Sequence, residues 1–257
     1  VVGIDIGGQT TKLGVVDARG TVLAQTVIRT DTYSDIAPYI SELVVALNKV
    51  IADAGVEGKV KGIGVGAPNG NYYTGTIENA VNLSWGGTQT IYFSKLLSEA
   101  MNGLPVALTN DANAAAVGEM TYGAARGMKN FIMITLGTGV GGGIIIDGKI
   151  YSGFNYAGGE IGHIVIQING RDCTCGRKGC FEVYSSATGL VRMTREAMEQ
   201  HPESLMHKMA EEQGKVSART AFDCMRQGDA AAKEVVDFYI RCLAAGITNT
   251  INIFNWN

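Results

Sequence analysis

An α/β chain of two modules is predicted from three features of the sequence. A strand, a glycine turn, a second strand, a turn and a third strand open the chain, and the same order returns from residue 131. Other segments carry apolar residues at three-and-four spacing, the signature of amphipathic helices. Residue identity between the two strand sets is low, so the repeat is one of structure, and it divides the chain into modules of residues 1–123 and 124–257.

Residues 1–6 form a short apolar run that breaks at Asp5-Ile6-Gly7-Gly8. Residues 12–17 resume it with alternating character up to Ala18-Arg19-Gly20, and residues 21–30 alternate again. Two reversals within thirty residues predict three successive antiparallel strands. Residues 34–55 place Ile36, Ile40, Leu43, Leu47 and Ile51 on one helical face and end in glycine. Residues 60–67 read as a buried strand of small residues ended by Pro68-Asn69-Gly70, after which a loop of little periodicity runs through Asn82, Trp85 and Gly86. A helix over 91–101, a strand over 106–109 and an alanine-rich helix from Asn110 to near Gly123 complete the first module. In the second, strands over 131–136 and 141–146 flank Gly137-Thr138-Gly139, and Asp147-Gly148 turns into a third strand over 149–151. Helices are predicted over 186–200, 217–227 and 230–252.

A length of 257 residues suffices for two domains, each with its own core. The net charge of -3, with no run of Lys or Arg, argues against a nucleic-acid or anionic-membrane surface. With 35 glycines and 4 prolines, the chain makes tight turns without the composition of a disordered segment. No secretory signal precedes the first strand and no apolar run reaches the ~20 residues that span a bilayer, so a cytoplasmic location is expected. The odd cysteine count fits a reducing compartment, with Cys224 and Cys242 expected as buried thiols on helices.

Residues 160–182 read EIGHIVIQINGRDCTCGRKGCFE. Cys173, Cys175 and Cys180 follow His163, and the spacing C-x-C-G-x-x-G-C sets two glycines where the backbone must turn for three sulfurs to converge. Such residues also occur as disulfide partners or small buried side chains, and a lone histidine is often a satisfied core residue. Three thiolates and one imidazole match the tetrahedral preference of zinc. Four protein ligands close the shell, which makes the metal a structural brace and leaves Glu160 and Glu182 for another task.

A strand that ends in Asp-x-Gly-Gly and reverses at once exposes N–H groups that take phosphate oxygens, and Gly137-Thr138-Gly139-Val140-Gly141 has the same property. Each turn alone is also an ordinary hairpin. As a pair at the starts of two strand sets they would hold a polyphosphate, with Asp5 placed to organise a hydrated Mg²⁺. Asp111 precedes a helix and reads either as its N-cap or as a carboxylate that takes the proton of an attacking hydroxyl.

Together these residues resemble the ROK family of sugar kinases and sugar-sensing repressors. The resemblance covers residues 5–12, 64–68, 110–119, 137–142, 160–163 and 173–182, and E-x-G-H followed by C-x-C-G-x-x-G-C-x-E is its most specific part. The run EVYSSATGLVR over 182–192 is similar to the zinc-containing bacterial glucokinases of the family. The resemblance implies two actin-like, hexokinase-like (ribonuclease H-like) modules around a central cleft, with the zinc knuckle in the second. It implies an ATP-dependent kinase that converts a hexose, glucose first, into its 6-phosphate. Asp111 would be the base for the sugar 6-hydroxyl, and Asn82, Asn110, Glu160, His163 and Glu182 would hold the other hydroxyls. Asp5, Gly7, Gly8, Gln9, Thr10 and Lys12 with Gly137, Thr138, Gly139 and Gly141 would line ATP and its Mg²⁺, and structural Zn²⁺ would sit on His163, Cys173, Cys175 and Cys180.

The sequence departs from the family at Gln9, where threonine is usual, and at Asn69-Gly70-Asn71-Tyr72-Tyr73, which replaces a shorter glycine-rich loop. The family also continues past the position of Asn257 with the segment that completes the adenosine site. The partners expected are a small sugar and a nucleotide, with no nucleic acid and no membrane, in a homodimer. A kinase for fructose, N-acetylglucosamine or N-acetylmannosamine is an alternative. So is a non-catalytic sugar-sensing repressor, which in this family carries an N-terminal helix-turn-helix, whereas this chain opens directly on the Asp5 strand.

Overall fold

The computed structural model describes residues 1–154 and 158–255. Strands β1 (Val2–Ile6), β2 (Thr10–Val16) and β3 (Val22–Arg29) form the antiparallel meander expected from their alternation. Helix α1 (Ile36–Asp53) follows, capped by Asp35, whose side chain accepts the Ala37 amide. Its buried face of Tyr39, Leu43, Leu47 and Val50 packs in one core with Ile4 and Leu13 of the sheet. Strand β4 (Ile63–Gly66) then returns parallel to β1.

Residues 70–90, which read as an irregular loop, and Ile91, expected to open a helix, contain three short strands, β5 (Gly70–Asn71), β6 (Thr76–Glu78) and β7 (Thr90–Ile91), in an antiparallel sheet. Strands of two and three residues are too short to show a period, which is why the sequence hides them. Helix α2 (Phe93–Ala100) leads to β8 (Val106–Thr109), which pairs parallel to β4 and completes the sheet order β3-β2-β1-β4-β8. Helix α3 (Asp111–Tyr122) starts at the carboxyl end of β8. A second three-stranded sheet follows, in the order β11-β10-β9, from β9 (Phe131–Leu136), β10 (Val140–Ile146) and β11 (Lys149–Ile150).

The chain then makes a 3-10 turn at Ile161–His163 and enters the helices α4 (Glu182–Ser185), α5 (Ala187–Gln200), α6 (Leu205–Glu212), α7 (Thr220–Arg226) and α8 (Ala230–Phe254). Helix α6 is absent from the sequence reading. Its signal is Ser204, which caps it by accepting the Met206 amide, followed by the spaced apolar Leu205, Met206 and Met209. Cys224 and Cys242 are buried thiols on α7 and α8, as expected.

Contacts group the chain into two compact units, residues 1–133 with 143–151 and residues 134–142 with 152–257. This course differs from the expected cut between 123 and 124. The hairpin of β9 and β10 is divided because Gly143 packs against α3: a Cβ there would meet the Ala112 carbonyl at 2.5 Å and the Ala116 methyl at 2.7 Å. A strand half that fits so closely to a helix belongs with that helix. The second unit has its own core, in which Leu190 and Met193 of α5 and Cys224 of α7 join Val236 and Tyr239 of α8.

Candidate active site

In the first unit the reversal between β1 and β2 is closed by the Gly7 amide, which donates to the Thr10 carbonyl at 3.0 Å. Gln9 is exposed at its tip, and its carbonyl accepts the Thr30 amide at 2.9 Å, which ties the tip to the end of β3. Gly8 has no room for a side chain, since a Cβ would lie 2.9 Å from the Asn82 carbonyl. The turn and the Asn82 segment are therefore neighbours. That segment is held by its buried residues: Leu83 and Trp85 are in the core, Trp85 stacks on Tyr39 with centroids 4.7 Å apart, and the Ser84 hydroxyl donates to the Tyr33 carbonyl at 2.6 Å. Asn82 itself is exposed.

Asp5 stands exposed near the end of β1, opposite Lys12 of β2, with Lys12 Nζ 4.0 Å from its Oδ2. Its parallel partner on β4 is Gly66, where a Cβ would sit 3.1 Å from the Ala114 methyl and 3.5 Å from the Asp111 Cα. A missing side chain thus brings the start of α3 down onto the sheet beside Asp5. The N-cap of α3 is Asn110, which accepts the Ala112 amide at 2.9 Å. The reading of Asp111 as the cap is corrected accordingly. Asp111 is the first helical residue, its carboxylate 2.8 Å from the same amide and otherwise turned to solvent.

In the second unit the turn over 137–139 is closed by the Gly137 amide donating to the Gly139 carbonyl at 3.0 Å, and the Gly137 carbonyl accepts the amide of Ala187, the first residue of α5, at 2.8 Å. Gly137 and Thr138 are exposed, while Gly139 and Gly141 are half-buried. The E-x-G-H segment lies flat against the start of β10. A Cβ on Gly162 would meet the Val140 carbonyl at 2.1 Å, so only glycine permits this approach. Glu160 is exposed at the head of the 3-10 turn and His163 half-buried at its end.

The knuckle closes through a pair of amides: Cys173 donates to Arg177 at 2.9 Å and Gly176 to Cys173 at 3.0 Å. Gly176 and Gly179 have φ of 84° and 78°, the left-handed conformation that their spacing implied. One donor atom each from His163, Cys173, Cys175 and Cys180 lies within 4.8 Å of all the others. Cys173 Sγ is 3.6 Å from His163 Nδ1, and Cys175 Sγ is 3.7 Å from Cys180 Sγ. A zinc tetrahedron with bonds of about 2.3 Å separates its sulfurs by roughly 3.8 Å, so the set fits that ion. All five cysteines are free thiols. Burial pushes the Cys173 thiol up to about 12 and raises Cys180, whereas the Arg177 amide lowers the exposed Cys175. Uptake of the metal must displace these protons.

Glu182 opens α4 beside the cluster. Its Oε1 lies 3.4 Å from Cys173 Sγ and 3.8 Å from His163 Nδ1, and its Oε2 fills the space that a side chain at Gly139 would take, 2.7 Å from the position of a Cβ. The sequence-expected residues therefore gather as two sets. Asp5, the first glycine turn, Asn82, Asn110 and Asp111 belong to the first unit; the second glycine turn, Glu160, His163, Glu182 and the three cysteines belong to the second. Gly66, Gly143 and Gly162 lie inside stretches that the sequence singles out, but their role, to admit a neighbour where a Cβ would clash, was not read from it.

The chain is similar to known proteins. The glucokinase of Halalkalibacterium halodurans is 38% identical over 257 residues, which cover 99% of this chain and 77% of that one. The crystal structure of a ROK family glucokinase from Streptomyces griseus in complex with glucose and AMPPNP has a TM-score of 0.78 at 32% identity, covering 99% of this chain and 80% of that one. A xylose repressor of Bacillus spizizenii is 32% identical over 194 residues, 76% of this chain and 46% of the repressor. The ROK family model matches residues 1–257 throughout. With the E-x-G-H turn, the cysteine knuckle and both glycine reversals in one α/β fold, the chain belongs to the ROK family.

Proposed function

We propose that the protein is an ATP-dependent hexokinase whose first substrate is glucose. The observation that carries this reading is the placement of Asp111, an exposed carboxylate on the first turn of α3, at the carboxyl end of β8 and brought to the sheet beside Asp5 by Gly66. In open α/β sheets, ligands bind at the carboxyl ends of the strands. The sugar 6-hydroxyl attacks the γ-phosphorus, the new O–P bond forms as the bond to the β-phosphate oxygen breaks, and the hydroxyl proton passes to Asp111. Amides of the two glycine turns other than those of Gly7 and Gly137, which close the turns, would take the phosphate oxygens, and the exposed Gln9 offers a side-chain amide donor at the first turn. A magnesium ion, held as a hydrate near Asp5, would neutralise charge on the transferred group. Asn82, Asn110, Glu160, His163 and Glu182 bind the remaining hydroxyls.

The similarity to glucokinases supports this assignment, and a glucokinase relative binds glucose and AMPPNP together. A coupled assay with ATP is expected to yield a sugar 6-phosphate from glucose faster than from mannose, N-acetylglucosamine or N-acetylmannosamine. No product from any of the four overturns the kinase. The second reading is sugar binding without phosphoryl transfer, favoured by the likeness to a xylose repressor. It predicts saturable binding of a sugar, xylose included, with no turnover.

A further inference from the structure

Glu182 reaches in two directions, and its carboxylate is mostly enclosed, with the side chain 20% exposed. On one side Oε1 contacts Cys173 and His163, two of the four candidate metal ligands. On the other side Oε2 occupies the place of the missing side chain of Gly139. Gly137 and Gly139 have no side chains of their own to anchor them, and the described backbone ties of the turn are the bond across it and the Ala187 amide on Gly137. The carboxylate is thus the side chain against which Gly139 rests. A carboxylate set by metal-bound neighbours is held in one orientation, and such outer-shell partners and the metal site support each other.

We propose that Glu182 is a strut between the metal cluster and the second glycine turn. With the metal bound, His163 and Cys173 are fixed, they fix the Glu182 carboxylate, and the carboxylate fixes the turn. Emptying the cluster then loosens the turn and weakens its grip on a polyphosphate. This role rests on the reading of the turn as a phosphate site and adds to Glu182 a positioning duty toward the nucleotide.

The test is hydrogen exchange over residues 134–142 in zinc-loaded and chelator-stripped protein, read beside titration with AMPPNP. In the native chain, stripping is expected to speed exchange over 134–142 and to raise the AMPPNP dissociation constant by about tenfold, the scale of outer-shell effects. In Glu182→Ala with zinc still bound, exchange is already fast and stripping changes neither quantity further; Glu182→Gln restores part of the dependence. Should Glu182→Ala lose its zinc, Gly139→Ala gives the same break from the opposite side, because its Cβ displaces Oε2 without touching a metal ligand. A response to stripping that is equal in the native chain and in both variants overturns the strut, since coupling then runs through the backbone of α4 and α5. An equal rise in exchange along α8 also overturns it, because the metal then holds the whole unit. If exchange responds as expected but AMPPNP does not bind the loaded native chain, the strut stands and the phosphate reading fails.

Discussion

Single side chains decide whether the proposed chemistry is possible, and Asp111 and Gly179 offer the sharpest tests. Removing a general base costs roughly 10²- to 10⁴-fold in rate. Asp111→Ala is therefore expected to lower kcat by that factor while calorimetry still detects glucose, because Asn110, and not Asp111, caps α3 and keeps the helix start in place. Retained turnover would remove Asp111 from the mechanism. Gly179 and Gly58 have similar φ, 78° and 71°, but different surroundings. A Cβ on Gly179 would lie 1.7 Å from the Gln167 carbonyl, whereas one on Gly58 meets nothing within 4 Å. Gly58→Ala should cost only the left-handed backbone term, about 1–2 kcal/mol. Gly179→Ala should cost more and lower bound zinc below one per chain by elemental analysis. The spacing of the cysteines announces the knuckle, since four ligands within twenty residues leave a local mark; the pressure of the Gln167 carbonyl on Gly179 leaves none.

Among the elements, α6 and α8 share one carboxylate. Asp229 caps α8 by accepting the Ala232 amide at 2.7 Å, and it also accepts the Ser204 hydroxyl at 2.8 Å and the Leu205 amide at 2.6 Å at the start of α6. Burial by itself raises its pKa, but the Ala232 amide, the Ser204 hydroxyl and the Leu205 amide outweigh that and hold the carboxyl below its ordinary value of 3.8. A carboxyl held lower in the folded than in the unfolded chain stabilises the fold in full above the unfolded pKa. That stability is lost as pH falls through the folded one. Asp229→Asn should therefore lower Tm at pH 7, and the gap to the native chain should shrink below pH 4, in parallel melts from about pH 7 to 3. Asp229→Ala removes the cap of α8 and the acceptor that the start of α6 uses, and should cost about 1–3 kcal/mol in urea unfolding. Apart from α6 and the single turn of α4, the helices were legible in the sequence, and α1 runs close to its expected span. The strands of residues 70–91 were not, because a strand of two residues is defined by its partner and not by a pattern of its own.

For the whole molecule, the metal and the two cores set the expected order of events on denaturation. The first unit buries α1 against its own sheet and contains none of the four candidate ligands, whereas the second holds all four beside a core of helices. Binding free energy at a structural zinc is partly folding free energy. Chelation is thus expected to speed amide exchange around residues 160–182 while β1 and β4 keep their protection, and loss of protection in both would contradict a brace confined to the second unit. No helix among the described residues is long and apolar enough to cross a membrane. The sequence by itself determined the family, most of the strands and helices, the two glycine turns and the candidate ligands of the knuckle, because each is written in short-range spacing. Only the tertiary structure decided which glycines admit a neighbour, that β10 is shared between two units, and that Glu182 lies against both Cys173 and Gly139. Those facts depend on atoms far apart in sequence coming within a few ångströms, and no periodicity along one chain encodes such distances.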